Sequence, residues 1–419
     1  MIAFDYVKFY ASQVAFLLIL VFISYYGGLK NLHYIDIYPN SFELLRFFLF
    51  ICVTFFTSLL VFLKLSRFIE LNIHLYIFVF FLPNFAFFVS GGGSALYITY
   101  FLIVSLYFLL FVSLFCFLFR SIPDLRPSRS FRIELLWFVL LLSIAVIALN
   151  FNYIDLQYKL QNVYTNRELI SKGQFIGFEY LHMILSKAIL PILLVIYLFR
   201  SAWSKVLICF GLYIILFFLT QHRAVFLIPF LLVFVALLSK WSINDKLFVP
   251  GIFLVISSIG LLLHFNQNTL LLGDIFIRRF FLDSPALNFA YLEFFGSNPF
   301  TYFTDSNLTL GAFESPYDTQ IPYLISNKIG AYGGHANVGY FGSGFQHAGL
   351  FGVFLYCFLI SFVIALVDYI NRYNNAKVVF SIYFISFVWI YISTDLPSML
   401  LTHGFAFLLF FNYLLRSKL

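Results

Sequence analysis

"GGHANVGYFGSGFQHAGLFGVFLYCFLI", residues 333–360, changes character part-way along. Residues 333–347 hold two histidines, an asparagine and five glycines, and an apolar run then continues through "SFVIALVDY" to residue 369. A run of that length and apolarity reads as a helix crossing a hydrocarbon core of ~30 Å. The chain therefore brings its densest group of polar and flexible residues to the edge of a membrane span.

The same signal recurs along the sequence. The 419 residues are 62% hydrophobic and 10% charged, with apolar runs at 10–28, 43–63, 70–90, 95–119, 133–151, 182–199, 205–220, 225–239, 248–265, 346–367, 378–393 and 399–415. In lipid every backbone polar group must be satisfied within the protein, so these runs predict helices and not strands. The expected fold is all-α: a polytopic membrane bundle of about 12 transmembrane helices, forming a single integral membrane domain over 1–419.

The 61 Phe and 28 Tyr are mostly packing, with Tyr placed near span ends where an amphipathic ring suits the headgroup layer. A formal charge of +7 raises the question of nucleic acid, but basic residues flanking spans set topology, and nothing else in the chain supports such a partner. Cys52, Cys116, Cys209 and Cys357 all lie inside apolar runs without CxxC spacing, which argues against a disulfide framework and against zinc. The first apolar run has no small-residue cleavage site and reads as a retained span.

With the N-terminus inside, most of the 25 basic residues fall in short loops on one face, so both termini are expected in the cytoplasm. The outer face then receives two long segments, 152–181 and 266–345. Loops so long are uncommon without structure of their own, and the later one is expected to be partly helical. Within it, "DSPALNFAYLEFFGSNP" (283–299) is punctuated by Ser284 as N-cap, Pro285 at the first helical position, and Gly296 and Pro299 at the end. It predicts a short surface helix carrying Tyr291 and Glu293, whose aromatic face either rests on the membrane or lines a sugar site. "SGGGS" (90–94) predicts a tight turn between two spans.

Motif chemistry is mostly exclusion. Gly339, Gly342 and Gly344 do not have GxGxxG spacing, and the chain has no P-loop, HExxH, GxSxG or DxD. A metal-bound nucleotide sugar is therefore not the expected donor. What remains is a set of outer cations and histidines. Arg223 sits in the very short turn "LTQHRAVF", where it either snorkels or grips a phosphate with its rigid fork. Arg278 and Arg279 follow Asp274 by about one turn, and an Asp274–Arg278 pair would account for one of the two. Arg167 in "VYTNREL" adds a fourth arginine, read either as a solvated residue or as part of an anion site. His335 and His347 can each take a proton from a sugar hydroxyl near neutral pH; His335, between glycines and Asn337, leaves more room for a substrate, and His222 beside Arg223 is a third histidine of interest.

Together these features resemble the Wzy-type O-antigen polymerases of bacterial surface-polysaccharide assembly. The resemblance is carried by "HANVGYFGSGFQHAGLFGVFLYCFLISFVIALVDY" (335–369), by "FLTQHRAVFLIPF" (218–230) and by "NVYTNREL" (162–169), and the architecture is similar over nearly the whole chain. The arginine turn departs from that family's usual Ser-Arg-Gly form, having His222 and Ala224 around Arg223. The resemblance implies a GT-C-like, metal-independent, cofactor-free inverting glycosyltransferase working on the periplasmic face of the inner membrane. Donor and acceptor would be oligosaccharides on undecaprenyl diphosphate, with a chain-length regulator and a flippase as partner proteins. It also implies roles: His335 as base with Asp274 or Glu293 as substitutes, Arg167, Arg223, Arg278 and Arg279 on the diphosphate, and Asn337, His347 and Tyr291 on substrate. The O-antigen ligase and a lipid-linked oligosaccharide flippase are the competing readings.

Overall fold

The computed structural model describes residues 2–26, 42–59, 65–123, 134–149, 178–220, 222–240, 244–265, 278–306, 309, 312–330 and 334–415. Every regular element among them is a helix. Seven are long and apolar enough to cross a membrane: Asp5–Ser24, Arg67–Val89, Ala95–Arg120, Tyr180–Phe199, Trp203–Thr220, Lys246–Leu263 and Tyr340–Ile370. Leu44–Ser58, Ala224–Lys240, Ala376–Ile392 and Phe405–Leu415 are shorter apolar helices.

The Ala95–Arg120 helix illustrates why the chain folds this way. Gly91 and Gly93 adopt φ of 90° and 73° in the turn before it, and the Ser94 hydroxyl accepts from the Tyr97 N–H as N-cap. Tyr97, Phe101, Val104, Phe108 and Val112 are buried on one face, while Leu106, Leu110, Leu114 and Phe117 stand exposed on the other. A helix apolar all round has no amphipathic signal, and its faces are separated only by what each touches: protein on one side, a hydrocarbon solvent on the other.

The described residues fall into two compact units interleaved in sequence: Met1–Ile122, Ile243–Asp368 and Val388–Leu396 form the first, and Pro123–Ser242, Tyr369–Phe387 and Pro397–Leu419 the second. In the first, Ile2–Tyr26 packs on Asp245–Phe265, Leu82–Val89 and Leu44–Ser58. In the second, Leu190–Phe199 packs on Trp203–Thr220 and Arg223–Lys240, and Phe405–Leu415 packs on Leu185–Ile189.

Several spans are interrupted, each for a local chemical reason. Among the described residues, π-helical turns occur at Ile77–Phe81, Leu185–Ile189 and Arg278–Leu282, just ahead of Pro83, Pro191 and Pro285. A proline supplies no N–H and its ring pushes on the preceding turn; widening that turn by one residue absorbs the insult. The Leu82 and Leu190 N–H groups accordingly donate five residues back, to Ile77 and Leu185.

Three expectations are revised. The span read at 346–367 belongs to a helix from Tyr340 to Ile370 that is broken at Ala348 and Gly349. The span read at 399–415 is divided into Leu396–Leu401 and Phe405–Leu415 by a turn in which Gly404 takes φ of 79°. The helix read as lying on the surface at 283–299 spans Asp283–Phe295 and is largely buried, Tyr291 included, because its non-polar residues ring the helix instead of forming one face.

Candidate functional site

The break in Tyr340–Ile370 is a reversal of direction. Ala348 (φ −155°, ψ 34°) and Gly349 (φ 58°, ψ −144°) leave helical geometry, the latter in a region that only glycine occupies comfortably. Residues 344 and 352 would stand about 12 Å apart along a continuous helix. Instead their backbones touch: a Cβ on Gly352 would lie 2.1 Å from the Gly344 carbonyl oxygen, and one on Gly344 would lie 2.9 Å from the Val353 Cα. The limb before the break is anchored by aromatic packing. Tyr340 shares a 3.1 Å hydrogen bond with Tyr76, which itself bonds Ser105, while Gly339 lies against the Tyr391 carbonyl with no room for a side chain.

A second segment closes over the tip. The Thr301 and Tyr302 N–H groups donate to the Gln346 and His347 carbonyls at 3.0 and 2.9 Å, satisfying acceptors that a terminating helix leaves open. Tyr302 and Phe303 take φ of 47° and 65°, successive left-handed residues that cost backbone energy and place the Phe303 ring flat on His347, 4.4 Å between centroids.

His347 thereby becomes the centre of a polar cluster. Its Nδ1 shares a 2.8 Å hydrogen bond with the Thr301 hydroxyl and lies 3.5 Å from Asp305 Oδ1; its Nε2 lies 3.7 Å from Asp395 Oδ1. Each carboxylate is held by a further donor, Gln346 Nε2 on Asp305 Oδ2 and the Tyr356 hydroxyl on Asp395 Oδ1 at 2.6 Å. The His347 side chain is only 2% exposed, but those of Asp305 and Asp395 are 24% and 22% exposed. Tyr291 is close by, donating to the Ala336 carbonyl at 2.9 Å; burial raises its phenol well above the ordinary value, and the Asp305 and Asp395 charges push the same way.

The cluster thus sets a buried imidazole 3.5 and 3.7 Å from two partly exposed carboxylates, the kinds of side chain that proton transfer uses. Among the described residues no group of three or more His, Cys, Asp or Glu is disposed to hold a metal ion.

Of the residues singled out by sequence, His347 and Tyr291 are brought to this place. His335 is exposed with its ring 3.9 Å from that of Tyr323, and Asn337 is exposed. Glu293 pairs with Lys328 at 3.8 Å on the surface, and Arg278 pairs with Asp283 at 3.6 Å. Arg167 and Asp274 lie outside the described residues, as do the side chains of Arg223 and Arg279. Sequence reasoning missed Asp305, Asp395, Tyr356, Thr301 and Gln346. The one available signal was Asp395 in "YISTDLPSML", a lone carboxylate between two apolar runs.

Compared with protein-family models, with curated proteins and with solved structures, the chain matches none.

Proposed function

We propose that the chain is a Wzy-type polysaccharide polymerase of the inner membrane, transferring the growing glycan from undecaprenyl diphosphate to the terminal hydroxyl of a new lipid-linked repeat unit. In this reading the bundle is GT-C-like with about 12 spans, both termini are cytoplasmic and the reaction occurs on the periplasmic face. The observation that carries it is the Asp305–His347–Asp395 cluster, held at a helix reversal in the segment where the outer loop meets its span.

The chemistry follows from that cluster. The acceptor hydroxyl attacks the anomeric carbon, its oxygen forms the new glycosidic bond, and the bond to the diphosphate breaks with the electron pair leaving on the diphosphate oxygen. The hydroxyl proton goes to a partly exposed carboxylate, Asp305 or Asp395, and onward to His347. Diphosphate is a good leaving group that chiefly needs positive charge as it departs, the role proposed for Arg167, Arg223, Arg278 and Arg279. His335 and Asn337, exposed on the glycine-rich approach, are proposed to contact sugar.

The test is surface-glycan electrophoresis of a deletion strain complemented with His347→Gln or Asp395→Asn, with membrane expression verified. The expected result is glycan carrying one repeat unit and no ladder. An intact ladder from both variants overturns the site, and loss of all surface repeats with polymer retained on the carrier lipid identifies a ligase instead.

A further inference from the structure

His347 is covered from two sides, and the two coverings are built differently. On one side stand Asp395, 3.7 Å from Nε2, and Tyr356, whose ring lies 6.1 Å from the imidazole. Tyr356 belongs to the Tyr340–Ile370 helix, and Asp395 immediately precedes Leu396–Leu401. On the other side lies a segment without helix or strand, residues 301–305. It supplies the Thr301 hydroxyl 2.8 Å from Nδ1, Asp305 Oδ1 3.5 Å from the same nitrogen, and the Phe303 ring flat on the imidazole.

That segment is held against its own conformational preference. Tyr302 and Phe303 take φ of 47° and 65° in succession, and both are bulky residues for which left-handed backbone is strained. Phe303 gains its packing on the imidazole in return. Tyr302 gains little, because its ring is 69% exposed with an edge contact to Phe300 at 6.2 Å. The latch that opposes the strain is small. The Thr301 and Tyr302 N–H groups donate to the Gln346 and His347 carbonyls, and the Gln346 amide donates to Asp305.

The chain just upstream is fixed. The Pro299 carbonyl accepts from the Tyr317 hydroxyl at 2.6 Å, and Phe300 packs on Phe345 and against Gly349. Movement can therefore begin at residue 301 without disturbing what precedes it. Closed, the segment leaves the His347 side chain 2% exposed; lifted, it relieves two left-handed residues and uncovers Nδ1 and one ring face, with Asp395 still beside Nε2. We infer that residues 301–305 form a strained lid over His347, closed in this structure, whose opening admits a ligand to the imidazole. As a gate that admits the acceptor hydroxyl it rests on the proposed polymerase reading; its motion does not.

The test reads motion and not turnover. Hydrogen exchange of the purified full-length chain in nanodiscs is followed by mass spectrometry, beside modification of histidines by diethyl pyrocarbonate. The Thr301 and Tyr302 amides are expected to exchange about a hundredfold faster than those of residues 353–370, and His347 to be modified about tenfold more slowly than exposed His335. Tyr302→Gly, in which left-handed backbone is unstrained, is expected to keep the lid closed longer and slow both signals about fivefold. Phe303→Ala, which keeps the strain and takes the ring off the imidazole, is expected to speed both about tenfold. A loop that is mobile without strain would be loosened by both substitutions. Exchange at 301–302 as slow as at 353–370 overturns the lid, and so does a His347 that stays unmodified after His335 has reacted fully. It is overturned equally by exchange no slower in Tyr302→Gly, or no faster in Phe303→Ala, than in wild type. Should Phe303→Ala fail to fold, wild type and Tyr302→Gly decide. Fast, strain-dependent exchange beside an intact ladder from His347→Gln and Asp395→Asn would keep the lid and lose the polymerase; slow exchange with the ladder lost would do the reverse.

Discussion

The Tyr340–Ile370 helix and the Tyr180–Phe199 span are interrupted by opposite means, and their side chains differ accordingly. Glycine at 344, 349 and 352 removes side chains, so the backbone folds onto itself and the chain reverses. Proline at 191 removes an N–H, so the turn widens and the helix continues. A reversal exposes both sides of its tip, and His347 there meets carboxylates from two distant segments, one at each ring nitrogen. A widened turn inside a running helix keeps the helix direction, and at Leu185–Ile189 it is met from outside, by the Tyr213 hydroxyl on the Ser186 carbonyl and by Gly404 against Ile184 and Ala188. The turn Ile77–Phe81, made by Pro83 in the same manner as that made by Pro191, carries only apolar residues. The break alone does not make a site; the residues delivered to it do.

The comparison is broken most severely at Gly352. A methyl group there collides with the Gly344 backbone, which has no rotamer to give way. Gly352→Ala is expected to destabilise the protein by about 3 kcal/mol, the upper end of overpacking costs. Gly211→Ala, at a helical glycine where an added methyl meets nothing within 4 Å, is expected to stabilise slightly or do nothing. Thermal unfolding in detergent followed by tryptophan fluorescence distinguishes them. Equal melting temperatures for the two variants would mean that the limbs at residues 344 and 352 are not in contact.

A smaller effect probes how the reversal's tip is held. Tyr356 donates to Asp395, and a hydrogen bond to a charged acceptor contributes about 1.5 kcal/mol or somewhat more. Tyr356→Phe keeps the ring and removes the donor, so it is expected to lower stability by about that amount and to reduce chain extension without abolishing it, since His347 still faces Asp395. A loss of polymer as complete as that from Asp395→Asn would place Tyr356 itself on the proton path.

The fold and the cluster were legible to different degrees. Apolar runs and their Gly and Pro punctuation carry helix type and approximate place, because lipid leaves the backbone few alternatives. The reversal at Ala348–Gly349 was not legible, because "FGSGF" and "GLFG" read equally as a glycine-rich helix or as a turn until Gly344 meets Gly352. His347 stood out as an imidazole at a span edge. Asp305 and Asp395 did not, since each is an isolated acid in sequence and only tertiary structure brings them to one ring. Tyr291 was misplaced on the surface for a related reason: where every face of a helix is apolar, periodicity cannot report which face is buried.

The smallest expected effect separates the cluster from a residue that the sequence offered only as a substitute for His335. Glu293 was a substitute proton acceptor, yet its side chain is 57% exposed and its ion pair with Lys328 spans 3.8 Å. Exposed pairs at such distances contribute ~0.5 kcal/mol or less, because water and salt screen them and two long side chains must be ordered. Glu293→Gln is therefore expected to leave both melting temperature and glycan ladder near wild type, whereas His347→Gln removes the ladder. A proton acceptor must reach the reacting hydroxyl and hand its proton on, and Glu293 has Lys328 and solvent as its surroundings where His347 has two carboxylates. If Glu293→Gln proved the more damaging of the two in electrophoresis, the acceptor hydroxyl would have to lie beside the Asp283–Phe295 helix, and the proton path would run outside the reversal altogether.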